Sequence, residues 1–270
     1  MPNSRTTLDA SIALVTGATG GIGQAIARAL HERGSRLLIS GRRADVLEPL
    51  ADELGVQALT CDLSSREDVA RLCEAAVAAG VDVLVANAAL PASGELTDLT
   101  PEQIDRILEV NLRAPIALAR ALAPLMIDRG HGHMVFISSL SGKVAAPASS
   151  LYSATKFGLR GFALGARADL RPHGVGVSVV LPGFIRDAGM FSDADVALPR
   201  GVGTRSPQDV AVAVIRAVTR NRAEVEVAPI GLRLGASFAS VAPELAAAVS
   251  RRLGSERVAA DMAEGQRDKR

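Results

Sequence analysis

Short apolar runs alternate with amphipathic stretches along most of the chain. Apolar runs rich in aliphatic and β-branched residues predict seven strands, at 12–16, 36–40, 56–60, 81–86, 133–137, 174–181 and 224–228. Segments with apolar residues at helical spacing predict helices at 22–30, 44–54, 66–79, 101–129, 150–171 and 207–220. The strands are apolar on both faces, as a parallel sheet covered by helices requires. The pattern therefore predicts an α/β fold with one doubly wound parallel sheet.

Three regions depart from this alternation. Residues 1–10 are polar and predict a flexible N-terminus, whereas residues 184–205 have scattered apolar side chains without periodicity and predict a mobile lid over an apolar pocket. Residues 230–253 include an apolar helical stripe flanked by arginines. Such a helix could rest on a membrane surface, pack on the substrate side or form a subunit interface. The charged tail 254–270 is predicted to fray, which leaves one catalytic domain over 11–253.

Composition narrows the classes of partner. Among 270 residues, 48% are hydrophobic and the net charge is +1 with acids and bases mixed, which argues against a nucleic-acid partner. Cys61 and Cys73 lie outside any Cys/His cluster, and His131 and His133 are interpreted as a surface turn pair, so no metal site is predicted.

The same composition bears on the compartment. Two cysteines do not form a disulfide framework, the first residues lack the apolar core of a signal peptide, and no run of about 18 apolar residues would span a membrane. We therefore expect a cytoplasmic protein without a membrane-spanning helix.

A glycine-rich turn follows the first predicted strand and leads into a helix. It reads Thr16-Gly-Ala-Thr-Gly-Gly-Ile-Gly23. Glycines let the backbone approach a phosphate closely, and the helix N-terminus supplies free N–H groups. Loops are often glycine-rich, but a glycine-rich turn between a buried strand and an amphipathic helix indicates a dinucleotide site.

The residues after the second strand predict which dinucleotide binds. A site for NAD(H) usually places Asp or Glu there, and this chain has Arg42 and Arg43 instead. Arginine matches a 2′-phosphate in charge and geometry, so NADP(H) is favoured and NAD(H) stays possible. Alternatively, one or both arginines solvate a helix start.

Tyr152 and Lys156 lie four residues apart in a predicted helix, and therefore on one face. A neighbouring ammonium lowers the pKa of a phenol, which would make Tyr152 an acid/base near neutral pH. A buried Tyr beside a surface Lys would give the same spacing. Tyr152 is the only tyrosine of the chain, so phenol chemistry must use it.

Further polar residues follow other predicted strands or interrupt apolar helices. Asp62 could accept from an adenine amino group or cap the next helix. Ser138 and Ser139 lie at the carboxyl end of a strand, where α/β sheets bind ligands. Asn111 lies in an apolar helical stretch near Pro115, and could hold an ordered water or be a satisfied core Asn.

These motifs occur in an order that resembles the short-chain dehydrogenase/reductase family over about residues 10–230. The resemblance implies a Rossmann-type sheet, a general acid/base Tyr152, a substrate-orienting Ser139, a ribose-binding Lys156 that lowers the tyrosine pKa, and a water-holding Asn111. Cofactor contacts are implied or expected for Gly17, Thr19, Gly21, Ile22, Gly23, Arg42, Arg43, Asp62, Leu63, Asn87, Tyr152, Lys156, Pro182, Gly183 and Ile185.

Two positions depart from the family pattern. Ala89 replaces the last glycine of the usual Asn-Asn-Ala-Gly, which would tighten the loop near the cofactor. After Pro-Gly, members of the family commonly have a threonine that bonds the nicotinamide carboxamide. The matching position in this chain is at about Asp187. Its carboxylate could accept from the amide, or the backbone of Ile185 could take over.

The predicted function is an NADP(H)-dependent oxidoreductase that interconverts a carbonyl and an alcohol on an apolar small molecule. The alternative is a dinucleotide-binding sensor or scaffold without catalysis. Small residues along the helix of Tyr152, at Ala154, Gly158, Gly161 and Gly165, predict a close approach to another helix and a homodimer or homotetramer.

Overall fold

Seven parallel strands form one sheet in the computed structural model, which describes residues 7–194, 196, 198, 202–252 and 255–266. The spatial order is β3-β2-β1-β4-β5-β6-β7. The strands are β1 (Ile12–Thr16), β2 (Arg36–Gly41), β3 (Gln57–Thr60), β4 (Val83–Ala86), β5 (Gly132–Ile137), β6 (Val175–Pro182) and β7 (Glu224–Val227). The predicted doubly wound sheet is confirmed, with β4 beginning two residues later than expected.

Helices cover both faces of the sheet. They are α1 (Gly21–His31), α2 (Ala44–Leu54), α3 (Arg66–Ala79), α4 (Pro101–Leu108), α5 (Ala114–Arg129), α6 (Ser150–Leu170), α7 (Pro207–Thr219), α8 (Ile230–Val241), α9 (Pro243–Arg252) and α10 (Ser255–Gly265). One apolar core cluster lies under α1, α2 and α7, and the other under α3, α5 and α6. Chain order reverses between β1 and β4, which creates a crevice at the carboxyl ends of these strands.

The predicted long helix over 101–129 is divided by a π turn at Glu109–Arg113. Pro115 has no N–H, so it cannot donate to the Asn111 carbonyl as residue 115 of a regular helix would. The predicted disturbance therefore lies at Asn111, just before the proline. The stretch Pro101–Arg129 is long and apolar enough to cross a membrane, but Leu118 and Leu122 are buried in the core against the sheet, as in a core helix.

Parts of both terminal segments, residues 7–10 and 255–266, are among the described residues. Leu8 is buried, and its carbonyl accepts hydrogen bonds from the hydroxyls of Ser11 and Ser35, so the N-terminal segment joins the core before residue 11. Within the segment 254–270, which is predicted to fray, Ser255–Gly265 forms α10. Pro243 does not merely interrupt the predicted C-terminal helix: it begins a new one, α9.

His133 lies inside the sheet, which corrects the prediction of a surface turn pair. It is 1% exposed on β5, and its Nε2 lies 2.8 Å from the Ser178 hydroxyl. That hydroxyl donates to the carbonyl of Arg222, so Nε2 of a neutral His133 is the donor in the shared bond. Burial, with a smaller contribution from nearby Arg167, lowers the pKa of His133 to about 3.

This buried imidazole should make the protein acid-sensitive. The unfolded chain protonates His133 below about pH 6.5, whereas the folded chain stays neutral down to about pH 3. Stability is therefore unaffected above pH 6.5 and falls as the pH drops below it, by up to about 1.4 kcal/mol per pH unit. We expect His133→Gln to show a shallower loss of urea-unfolding free energy between about pH 6.5 and pH 5 than the parent.

His173 is the control for this prediction, because its side chain is exposed. His173→Gln should leave the pH dependence unchanged. An equal acid slope in His133→Gln and the parent would contradict the assignment.

Candidate active site

A cavity of about 1120 Å³ opens at the carboxyl ends of the strands, at the crevice where chain order reverses. It is lined by nearly all of the sequence-predicted site residues. Those lining it are Gly17, Thr19, Gly21, Ile22, Gly23, Arg42, Arg43, Asp62, Leu63, Asn87, Ser139, Tyr152, Lys156, Pro182, Gly183 and Ile185. Asn111 is not among the lining residues, although its neighbour Val110 is.

The glycine-rich turn has no room for side chains. Gly17 has a positive φ of 68°, and a Cβ there would lie 2.7 Å from the Cα of Ala88. A Cβ on Gly23 would collide with the carbonyl oxygen of Gly17. No side chain caps the N-terminus of α1 at Gly20, so the first-turn N–H groups are left for a ligand. The turn therefore fits a pyrophosphate at a helix N-terminus.

Three arginines lie at the end of the cavity beyond β2. Arg42 and Arg43 are both exposed, and Arg43 donates to the carbonyl of Thr19 at 2.7 Å. Arg106 from α4 also lines the cavity. The sequence pattern did not single out Arg106, because an exposed arginine on an amphipathic helix has no distinguishing signal.

Asp62 and Asn87 both hold backbone in place. One Asp62 oxygen accepts from the N–H and hydroxyl of Ser64, at 2.9 and 2.8 Å. Burial raises the pKa of Asp62, but these bonds, with smaller contributions from Arg42 and Arg106, leave it below its ordinary value. The Asn87 amide donates to the carbonyls of Thr16 and Gly17, which ties the end of β4 to the phosphate turn.

Tyr152 and Lys156 lie on one face of α6, as the spacing predicts. Lys156 Nζ is 5.5 Å from the centroid of the Tyr152 ring and donates to the carbonyl of Ile137 at 3.1 Å. Lys156 is 2% exposed, whereas Tyr152 is partly exposed to the cavity. The hydroxyl of Ser139 lies near enough to the phenol to lower its pKa. The three side chains therefore form one cluster at the carboxyl end of β5.

Burial dominates the acidity of this cluster. It raises the pKa of Tyr152 to about 12, against a smaller lowering by the hydroxyl of Ser139. It lowers the pKa of Lys156 to about 8. Burial therefore holds the pKa of Tyr152 above its ordinary value, and the lowering of that pKa by Lys156 stays a prediction.

The side chain of Asn111 is bound at both ends. Its Oδ1 accepts from the N–H of Leu90 at 2.7 Å, and its Nδ2 donates to the Leu90 carbonyl at 2.9 Å. Asn111 thus fixes the loop that follows β4. Ala88 and Ala89 of this loop line the cavity, whereas Asn111 does not. A water at Asn111 would have to use its backbone carbonyl, which Pro115 cannot bond.

The segment after β6 crosses the phosphate turn. Ala188 packs against Gly21, and Gly189 against Ile22. Of the two alternatives for the nicotinamide amide, the structure does not favour Asp187: its side chain is 70% exposed, pairs with Arg186 and is absent from the cavity lining. Ile185 is buried and lines the cavity. A left-handed backbone at Asp187, with φ 66°, accompanies this outward orientation.

Helices α8 and α10 form a wall of the cavity. Packing on the substrate side is one of the alternatives that the sequence left open for 230–253, and α8 adopts it, whereas the sequence pattern did not indicate α10. Small and apolar side chains from α8 and α10 line it, among them Leu232, Ala236, Phe238, Ala259 and Met262. From the predicted lid, Phe184 and Phe191 also line the cavity, and the centroids of their rings are 5.0 Å apart. Lid residues 195, 197 and 199–201 lie outside the described residues. Apolar side chains therefore dominate this end of the cavity.

A partly buried charge network lies next to the cluster of Ser139, Tyr152 and Lys156. Lys143 is bonded to Glu224 at 3.0 Å and to Glu226 at 2.8 Å, while Arg160 and Arg233 each bond one of these carboxylates. Burial disfavours the charged form of Lys143, but the two carboxylates outweigh it and raise its pKa above its ordinary value. The network ties the turn after Ser139 to β7, α6 and α8.

Removing Lys143 should destabilise the fold. Lys143→Met leaves Glu224 and Glu226 facing each other without their shared cation, so we expect a loss of about 2–4 kcal/mol in unfolding free energy. Arg28→Met is the control, because the Arg28–Glu53 pair is exposed and worth less than about 1 kcal/mol. Equal losses for the two variants in urea unfolding would contradict the importance of the network.

Comparison with known proteins agrees with this geometry. The profile of the short chain dehydrogenase family matches residues 11–196. Dehydrogenase/reductase SDR family member 7B of Bos taurus is 33% identical over 258 aligned positions, which cover 87% of this chain and 78% of that protein.

Solved structures show the same architecture. A short-chain dehydrogenase from Sphingobium yanoikuyae in complex with NADPH is 27% identical with a TM-score of 0.76, covering 87% of this chain and 94% of that one. A metagenomic short-chain oxidoreductase in complex with NADP is 36% identical with a TM-score of 0.70, covering 83% and 99%.

Proposed function

Because the chain belongs to the short-chain dehydrogenase/reductase family and is an oxidoreductase, we propose that it interconverts a carbonyl and an alcohol with NADP(H), using Tyr152 as the general acid/base. The observation that carries this proposal is the cluster of Tyr152, Ser139 and Lys156 beside a turn shaped for a pyrophosphate. A reduced nicotinamide, when bound, supplies a hydride to the carbonyl carbon.

The chain's own residues supply the proton and the orientation. Tyr152 donates its phenolic proton to the developing alkoxide oxygen of the substrate, and the hydroxyl of Ser139 binds the same oxygen. Lys156 is held by the Ile137 carbonyl beside the phenol, where its ammonium can bind ribose hydroxyls and favour the phenolate after transfer. A water bound to the Asn111 carbonyl would relay a proton from solvent back to Tyr152.

The raised pKa of Tyr152 sets the expected pH behaviour of the two directions. Reduction uses the protonated phenol, which persists up to about pH 12, whereas oxidation needs the phenolate. The rate of alcohol oxidation should therefore rise from about pH 7 to about pH 10. Over the same pH range, the protonation of Tyr152 should not limit the rate of reduction. Initial rates in both directions test this, and a pH-independent oxidation rate would contradict the acid/base assignment.

The arginines support a preference for NADP(H). Arg42 and Arg43 follow β2 and line the cavity, where an Asp or Glu would favour NAD(H). Two structural relatives hold NADPH and NADP. We place the adenosine between Ile22, Asp62 and Leu63, with Asn87 nearby.

The substrate we propose is an apolar small molecule, because aromatic and aliphatic side chains dominate the wall formed by the lid and α8.

For assembly we propose a homodimer or homotetramer through α6. Gly161 and Gly165 have open space within 4 Å of where a Cβ would lie, and Phe157 nearby is 41% exposed. The free thiols of Cys61 and Cys73 suit a reducing cytoplasm.

The activity is tested by mixing purified protein and NADPH with a panel of aliphatic, alicyclic and aromatic ketones and aldehydes, and following loss of reduced nicotinamide. We expect turnover on at least one apolar carbonyl compound. NADPH binding without turnover of any member would favour the sensor alternative over the proposed reaction.

A further inference from the structure

Among the described residues of the C-terminal wall, one side chain has a polar atom that neither the fold nor the proposed reaction uses. The family profile ends at residue 196, whereas α8 and α10 contribute small side chains such as Gly235 and Ala259 to the lining. Gln266, immediately after α10, lines the same cavity and is 2% exposed.

The two ends of the Gln266 amide differ in their partners. Its Nε2 donates to the carbonyl of Met190 at 3.1 Å, which identifies the other atom as the oxygen. That Oε1 is buried and has no hydrogen-bond partner in the part of the chain that the structure describes. A buried acceptor without a partner is unfavourable, so a group that could pair with it would be favoured.

Tight packing holds Gln266 against the lid. A Cβ on Gly265 would lie 2.7 Å from the carbonyl oxygen of Ala194, so the end of α10 fits closely onto the lid segment. The same segment carries Ala188 and Gly189 onto the phosphate turn. Gln266 is therefore held against the segment that packs on the phosphate turn, at the boundary of the cavity that it lines.

We propose that Oε1 of Gln266 is a ligand-binding acceptor, which takes a hydrogen bond from an N–H or O–H of a molecule bound in the cavity. Under the proposed function, two sources carry such a donor: the carboxamide of the nicotinamide, and a hydroxyl on the substrate remote from the reacting carbonyl. The acceptor chemistry is the same in both cases, and binding measurements separate them.

Two variants distinguish the role of Oε1 from the role of the rest of the Gln266 side chain. Gln266→Met keeps the length but removes both polar atoms. Gln266→Glu keeps the acceptor oxygens and removes the N–H that bonds Met190. If the oxygen binds the ligand, Gln266→Met should bind about tenfold more weakly and Gln266→Glu within about threefold of the parent.

The experiment is isothermal titration calorimetry in two arms. The first titrates NADP⁺ into each protein. The second titrates 2-alkanones of about 8 to 16 carbons, with and without a tertiary hydroxyl at the far end, into the NADP⁺-saturated proteins. NADP⁺ has no hydride to give the ketone, and a tertiary alcohol has none to give NADP⁺. Weaker NADP⁺ binding in Gln266→Met identifies the cofactor as the donor, and a loss confined to hydroxylated ketones identifies the substrate.

Two outcomes would overturn the proposal. In one, Gln266→Met binds NADP⁺ and both ketone series within about twofold of the parent. In the other, Gln266→Glu loses as much affinity as Gln266→Met, which would assign the effect to the Met190 bond. Because binding is measured without turnover, failure of the proposed reaction would leave both arms readable.

Discussion

Tyr152→Phe is expected to lower NADPH-dependent carbonyl reduction by about 10³-fold while NADPH still binds. The substitution removes only the phenolic oxygen, and general acid catalysis contributes about 10²–10⁴-fold. Because the chain has no other tyrosine, no second phenol can replace it. The measurement is kcat with the best carbonyl compound of the panel, together with NADPH affinity from calorimetry.

A graded control accompanies this variant. Ser139→Ala removes an oxygen-binding group but leaves the proton donor, so it should lower kcat by about 10–100-fold. Unfolding temperatures of both variants should stay close to the parent value. Activity of Tyr152→Phe at the parental level would refute the acid/base role.

The second large effect concerns cofactor choice. The double variant Arg42→Ala/Arg43→Ala should lose about 10²-fold in affinity for NADPH and change little in affinity for NADH. The reason is that hydrogen bonds between charged groups contribute about 1.5–3 kcal/mol each, and only NADPH carries the 2′-phosphate. Dissociation constants for both nucleotides, measured at one salt concentration, give the ratio.

Arg36→Ala is the matched control for this prediction. Arg36 begins β2, at the opposite end of the strand from the cavity, and is exposed. It should leave both affinities unchanged. A preference for NADH in the parent protein, or equal losses for both nucleotides in the double variant, would show that Arg42 and Arg43 do not select the phosphate.

Residues whose chemistry is local were predictable from sequence. The spacing of Tyr152 and Lys156, the glycines of the phosphate turn and the arginines after β2 each lie within one element or turn. Their place in the cavity then follows from the parallel sheet, because all strands end at the same edge. The apolar runs predicted that sheet well, since strands buried on both faces have a distinctive pattern.

Features that depend on distant contacts were not predictable. His133 was assigned to the surface because the sequence could not show Ser178 and Arg222 around it. Gln266 lies in a charged tail, and only the fold of α10 over the lid brings it to the cavity. The outward orientation of Asp187 likewise depends on a positive φ that the sequence pattern does not reveal.

Deuterium transfer tests the central claim most directly. NADPH deuterated at the transferable position of the nicotinamide is incubated with the protein and the best carbonyl compound of the panel, and the product is analysed by mass spectrometry. The proposed function predicts an alcohol with deuterium on its carbinol carbon, formed about 10³-fold more slowly with Tyr152→Phe. Absence of the label from that carbon, or no alcohol from any carbonyl compound while NADPH binds, would contradict it.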